Sequence, residues 1–244
     1  MKKEKYVGKS VGEVVADNYA AARVFAGFGI DFCCHGEVLF DEACTRAGVS
    51  PEEVLKALEA SETMEAKPVA GGFSEWPLDL LIDYVLKIHH RGIRRDGPQI
   101  LKLMDKVVSV HGEAHQELYE VCDLFTESLQ ELEMHLQKEE NVLFPYLFEL
   151  YDASLVGRPM EQMHCGTVSN PIRVMRMEHE SEGNRYHHIV HITRNYAVPA
   201  DGCASYRLLM HELKRFMEAL FEHIHLENNI IFPKAVELEA EWVG

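Results

Sequence analysis

His135-Leu-Gln-Lys-Glu139-Glu-Asn-Val-Leu-Phe144-Pro145 recurs 88 positions later as His223-Ile-His-Leu-Glu227-Asn-Asn-Ile-Ile-Phe232-Pro233. Each copy sets a histidine and a glutamate four residues apart, ahead of an apolar run that ends in Phe-Pro. Side chains at i and i+4 share one face of an α-helix. Two copies with the same flanks therefore ask for two equivalent helices, each turning a His and a Glu the same way. Pro145 and Pro233 fall inside those helices and predict a kink or a local break at each.

The rest of the chain agrees with a helical fold. Helical periodicity runs over residues 77–108, 113–149, 171–195 and 202–240. Breakers separate these stretches: Gly112, the segment from Gly157 to Pro171, and Pro199 with Gly202. Strand-like alternation is absent, so the expected fold class is all-α, an antiparallel four-helix bundle. Ahead of it, Ser10-Val-Gly-Glu13 reads as a capping box, and Ser50-Pro51-Glu-Glu53 opens another helix with proline at its first position. A shorter helix is expected over about 37–47, and Gly29 to Gly36 reads as a turn. Residues 61–76, with Pro68, Gly71 and Gly72, lack periodicity and read as a linker. The expected domains are thus a small helical domain over 1–60, that linker, and a bundle over 77–244.

Composition narrows the partners. A formal net charge of −16 disfavours nucleic acid and anionic membranes, which would repel such a surface. No stretch approaches ~20 apolar residues, so no span of a bilayer is expected. Met1 to Asn18 lacks the apolar core of an export signal. Six cysteines without such a signal suggest free thiols in a reducing cytoplasm.

Traced upstream, the repeat supplies two more candidate ligands. His90 precedes His135 by 45 positions and His179 precedes His223 by 44, although the local apolar pattern fits His89 as well as His90. The candidate metal set is His90, His135, Glu139, His179, His223 and Glu227. Imidazole with carboxylate favours first-row metals over magnesium or calcium, and no thiolate sits at helical spacing to claim structural zinc. That mix suits two non-haem iron ions per chain, oxo- or hydroxo-bridged. Two octahedral ions have about twelve positions. Four imidazoles, two bridging glutamates and the oxygen bridge fill about ten, leaving roughly two for small ligands. His111 and His115 lie too far along the bundle to join this set, as do His187, His188 and His191, which could line an access route. His225, two residues from His223, points to another face.

The duplicated His-x3-Glu run resembles the hemerythrin-like cation-binding domain. Asp31-Phe-Cys33-Cys34-His35-Gly36 resembles the ScdA N-terminal module, with His35 where a second glycine is common. The combination resembles the RIC proteins (repair of iron centres, the ScdA/YtfE group) over nearly the whole chain. The resemblance implies the same six ligands, and its flanking Asp83 and Arg94 select His90 over His89. It also implies that Glu178 supports a ligand from behind or lines a channel. Compared with oxygen-carrying hemerythrin, this set has one histidine fewer, so reversible oxygen carriage is not expected.

The resemblance further implies a cytoplasmic di-iron protein that repairs iron–sulfur clusters damaged by nitric oxide or peroxide. Iron donation and nitric oxide removal, the latter through a nitric oxide reductase-type activity, are the two routes. The alternative is a module that binds or senses oxygen or nitric oxide without turnover. Damaged iron–sulfur proteins are the expected partners, with nitric oxide or oxygen as small ligands and a homodimer as the assembly. Cys33-Cys34 is a candidate redox or iron-handling pair, since vicinal cysteines form strained, labile disulfides; the plainer alternative is two buried apolar side chains. Cys44, Cys122, Cys165 and Cys203 have no such neighbour and read as structural.

Overall fold

The computed structural model describes residues 6, 8–64, 72–164 and 166–243. Among them no strand forms, and no helix is long and apolar enough to cross a membrane. The helices are α1 (Val11–Asp17), α2 (Ala20–Gly27), α3 (Phe40–Ala47), α4 (Pro51–Met64), α5 (Leu78–Tyr84), α6 (Arg91–His111), α7 (Glu117–Lys138), α8 (Phe144–Val156), α9 (Ser169–Ile192), α10 (Ala204–Leu226) and α11 (Phe232–Trp242). Three π-helical turns, Val85–His90, Glu139–Leu143 and Glu227–Ile231, join α5 to α6, α7 to α8 and α10 to α11. Of the segment 61–76, read as a linker, residues 65–71 lie outside the described residues; before them α4 runs on to Met64, and after them Phe73–Glu75 form a short 3-10 turn.

The interruption expected at each Phe-Pro takes the form of a π turn just before it. Proline has no N–H to give, and its ring crowds the carbonyl four residues back. The Phe144 N–H bonds the Glu139 carbonyl five residues back, and Phe232 does the same with Glu227. The chain thus takes in one extra residue per turn and resumes an α-helix with Pro145 and Pro233 in its first turn. Glu139 and Glu227 each open such a turn.

The chain divides into two compact units. The first comprises Met1–Leu81, Leu150–Glu161 and Ile224–Gly244. The expected capping box forms at α1: the Glu13 N–H donates to Ser10 Oγ at 3.2 Å, and the Ser10 N–H to Glu13 Oε2 at 2.7 Å. Val11, Val15, Phe25, Cys44 and Val54 are fully buried here, and α1 packs on the π turn Glu227–Ile231. The second comprises Ile82–Glu149 and Gln162–His223. In it α6, α7, α9 and α10 form a helical bundle whose short α6–α7 and α9–α10 links make successive helices antiparallel. Met104, Val121, Phe125, Leu136, Tyr186 and Leu213 fill its core.

Candidate metal centre

Five of the six predicted ligands meet inside the second unit. His90 comes from the first π turn, His135 from α7, Glu139 from the second π turn, His179 from α9 and His223 from α10. All five are buried, and Glu139 is wholly so. Glu139 Oε2 faces His90 Nε2 at 3.4 Å and His223 Nε2 at 4.0 Å, while Oε1 faces His135 Nε2 at 3.3 Å. His179 Nε2 lies 3.1 Å from His135 Nε2. The imidazoles therefore pair across the two helical hairpins, His90 with His223 and His135 with His179. One carboxylate oxygen serves each pair. Within each group the candidate donor atoms lie within 4.8 Å of one another.

The outer ring nitrogens fix which inner ones are free to ligate. His90 Nδ1 lies 2.8 Å from Glu140 Oε1, and His135 Nδ1 lies 2.8 Å from Glu178 Oε2. An ionised carboxylate only accepts, so Nδ1 carries the proton and Nε2 of a neutral ring presents a lone pair inward. His135 holds the Glu178 carboxyl down to about 2, and Lys138, which also pairs with it, adds to this against the effect of burial. Burial pushes Glu140 up, but Arg94 and His90 outweigh it and the net shift is downward. Arg94 itself spans Glu140 and Glu133, bonding each through two contacts.

Such a centre is made for a cation. Imidazole lone pairs aimed at a buried carboxylate set acceptor against acceptor, and burying that charge without compensation is strongly unfavourable. A cation placed between an Nε2 pair and its carboxylate oxygen would remove the conflict. Nitrogen and oxygen donors without sulfur suit a first-row transition metal, iron included.

Glu227 is wholly buried one turn beyond His223 and occupies the position in the repeat that Glu139 holds in the first copy. His90 joins the Glu139 group; His89, also buried, stacks on His223 with ring centroids 5.6 Å apart and meets Tyr84 edge-on. Asp83 lies outside the group, paired with Lys87. Glu178 stands directly behind His135. Sequence reasoning missed Glu140, whose only signal is its place beside Glu139, and the Tyr84 hydroxyl that donates to the half-buried Glu222 at 3.3 Å. His187 meets the Phe221 ring, and His188 pairs with Glu120 at the surface.

The vicinal cysteines belong to the first unit. Asp31 Oδ1 accepts the N–H groups of Cys33 and Cys34, both at 3.0 Å, and lies 3.4 Å from Cys33 Sγ. The two sulfurs are 3.7 Å apart and both residues are free thiols. The hydrogen bond with Cys34, burial and the nearby Asp31 carboxylate push the Cys33 thiol well above its ordinary value, so it keeps its proton. Asn228 Nδ2 donates to the Cys33 carbonyl at 3.1 Å, and Asn229 Nδ2 to the Phe32 carbonyl at 3.1 Å. These asparagines directly follow Glu227, so one stretch of chain carries a candidate ligand and clamps the cysteine turn. His225, predicted to face away from the ligands, is fully buried against Phe32 and Tyr19. Burial pushes it down to about 4. Cys44 is buried and Cys122 half-buried, whereas Cys165 lies outside the described residues. Cys203, expected to be structural, is instead exposed, just ahead of α10.

Comparison with known proteins agrees with this geometry. The hemerythrin HHE cation binding domain matches residues 81–235, and the ScdA N-terminal domain, described only as a domain of unknown function, matches residues 7–62. A probable iron-sulfur cluster repair protein of Haemophilus influenzae is 29% identical over 231 residues, covering 95% of this chain and 98% of its own. The iron-sulfur cluster repair protein YtfE of Musicola paradisiaca is 30% identical over 237 residues, covering 96% and 99%. That of Yersinia pseudotuberculosis is 29% identical over 236 residues, with the same coverage.

Proposed function

Because the chain belongs to the hemerythrin HHE cation binding family and carries an ScdA N-terminal domain ahead of that domain, we propose that it repairs iron–sulfur clusters damaged by nitrosative or oxidative stress. It does so at a non-haem di-iron centre, by donating iron, removing nitric oxide, or both. The observation that carries this reading is the Glu139 carboxylate, with one oxygen turned to each of two imidazole pairs. A carboxylate in that position would suit two ions, one for each imidazole pair. Glu227 completes the set by the register of the repeat. The names of the relatives, iron-sulfur cluster repair proteins over almost their full length, support the assignment of the reaction.

Two irons bound there would supply redox chemistry toward a small ligand. The chain does the rest. His90 and His223 would hold one ion and His135 and His179 the other, with Glu139 between the two pairs. Glu140 and Glu178 keep the Nδ1 protons of His90 and His135 in place, so both rings stay oriented as donors. Phe144, packed 5.8 Å from the His90 ring, helps to wall the centre off from water. Where iron is donated it is cargo, and Cys33-Cys34 is the candidate thiol pair to handle it or to exchange electrons. On this reading the partners are damaged iron–sulfur proteins, with nitric oxide or oxygen as small ligands, met in the cytoplasm by a homodimer.

The test is cluster recovery. The iron-loaded chain, incubated with an enzyme whose [4Fe–4S] cluster has been destroyed by nitric oxide, is expected to restore that enzyme's activity while its own iron content or nitrosyl load changes. Recovery at the same rate with the His135→Ala chain, which loses one ligand pair, sinks the proposal.

A further inference from the structure

About 30 Å along α6 from His90, at ~1.5 Å per residue, the bundle carries a second group of metal-type side chains that the buried centre does not use. His111 closes α6, His115 follows in the turn to α7, and Asp201 lies just ahead of α10. The candidate donor atoms of His111, His115 and Asp201 lie within 4.8 Å of one another. Donors around a tetrahedral zinc at ~2.0–2.1 Å are separated by about 3.3 Å, so a small contraction closes the group.

We propose that His111, His115 and Asp201 form a second metal site that takes zinc.

Three features go beyond an ordinary surface ion pair. His115 Nε2 lies 3.1 Å from both Asp201 oxygens, while its Nδ1 lies 3.3 Å from Glu117 Oε1. Glu117 thus supports the outer nitrogen of a donor imidazole, as Glu178 does for His135. His111 Nε2 is shut off from solvent and has no hydrogen-bond partner among the described residues, which the His115–Asp201 pair leaves unexplained. The Tyr206 ring packs edge-on against both imidazoles, 5.4 Å from His111 and 5.6 Å from His115, and fixes their orientation. Two imidazoles with one carboxylate select zinc over magnesium or calcium. The exposure of Asp201 makes the site open to exchange with solution.

The experiment uses the full, iron-loaded chain with Cys33→Ser and Cys34→Ser, so that the vicinal thiols cannot bind the probe. Dialysis against Zn²⁺ is expected to add one zinc per chain with the iron content unchanged. Asp201→Ala, at an exposed position that leaves folding intact, and His115→Ala should each weaken zinc binding at least tenfold. Glu117→Gln should weaken it by about tenfold. No added zinc, or zinc held equally well by Asp201→Ala and His115→Ala, overturns the site.

Discussion

Gly36→Ala is a one-carbon change whose cost follows from the clamp on the cysteine turn. A Cβ at Gly36 would stand 2.2 Å from Asn229 Oδ1 and 2.7 Å from its Cγ and Nδ2. Asn229 cannot simply swing away, because its Nδ2 donates to the Phe32 carbonyl and meets His225 Nδ1 at 3.0 Å. Gly12 bounds the same space, since a Cβ there would meet Asn229 Oδ1 at 2.8 Å. The Gly36 backbone is not left-handed, so alanine brings no strain of its own. Overpacking costs about 1–3 kcal/mol, and each hydrogen bond lost as Asn229 moves adds roughly 0.5–1.5 kcal/mol. Gly36→Ala should therefore destabilise the chain by about 2–4 kcal/mol in urea unfolding. Labelling of Cys34 by a thiol reagent should speed up as the Phe32–Cys33 carbonyls are released. In an Asn229→Ala background the obstacle is gone, and Gly36→Ala should then cost less than about 0.5 kcal/mol. Additivity of the two changes within ~0.5 kcal/mol would show that Asn229 is not what the new methyl meets.

Other perturbations bear on the buried centre and the bundle core. Glu139→Leu should abolish metal binding yet stabilise the metal-free chain by roughly 1–4 kcal/mol, because a buried carboxylate among lone pairs is replaced by packing; metal content and urea midpoints read both effects, and a less stable metal-free variant counts against the account. Glu178→Gln leaves the ligands intact but weakens the hold on the His135 Nδ1 proton, so metal affinity should fall by about 10–100-fold; equilibrium dialysis would detect it, and unchanged affinity refutes it. Glu182 is raised by burial, against the opposing influence of Ser128 and Arg185. A carboxyl with a raised folded value contributes stability that is present below its ordinary 4.5 and lost as pH rises through the folded value. The urea midpoint of the metal-free chain should thus lose less on going from acid toward neutrality in Glu182→Gln than in the parent, and parallel profiles would contradict this.

The helices were legible, and the candidate ligands could be named, because the i, i+4 pairs and their duplication are local properties of the sequence. His135 with Glu139 and His223 with Glu227 name a helix face each; the equal upstream spacings then name His90 and His179. Which face meets which is not local. The pairing of His90 with His223, across the hairpins, is set by bundle packing. The apolar pattern alone did not separate His89 from His90, because the π turn Val85–His90 buries both; His90 is the one that faces Glu139. Proline at 145 and 233 signalled an interruption, but its form depends on how the carbonyl five residues back is reused. Glu140, Asn228 and Asn229 escaped notice for a related reason. Polar residues beside a ligand usually face solvent, and only tertiary contacts with His90 and the Cys33 turn give them roles.

Metal analysis of the chain as isolated, joined to its near-ultraviolet spectrum, tests the central claim most directly. Asp201→Ala is the chain to use, so that zinc at the far end of the bundle does not enter the count. The account predicts two irons per chain, the absorption of an oxygen-bridged ferric pair, and loss of both in Glu139→Ala. One metal ion per chain, or zinc in place of iron, would contradict it.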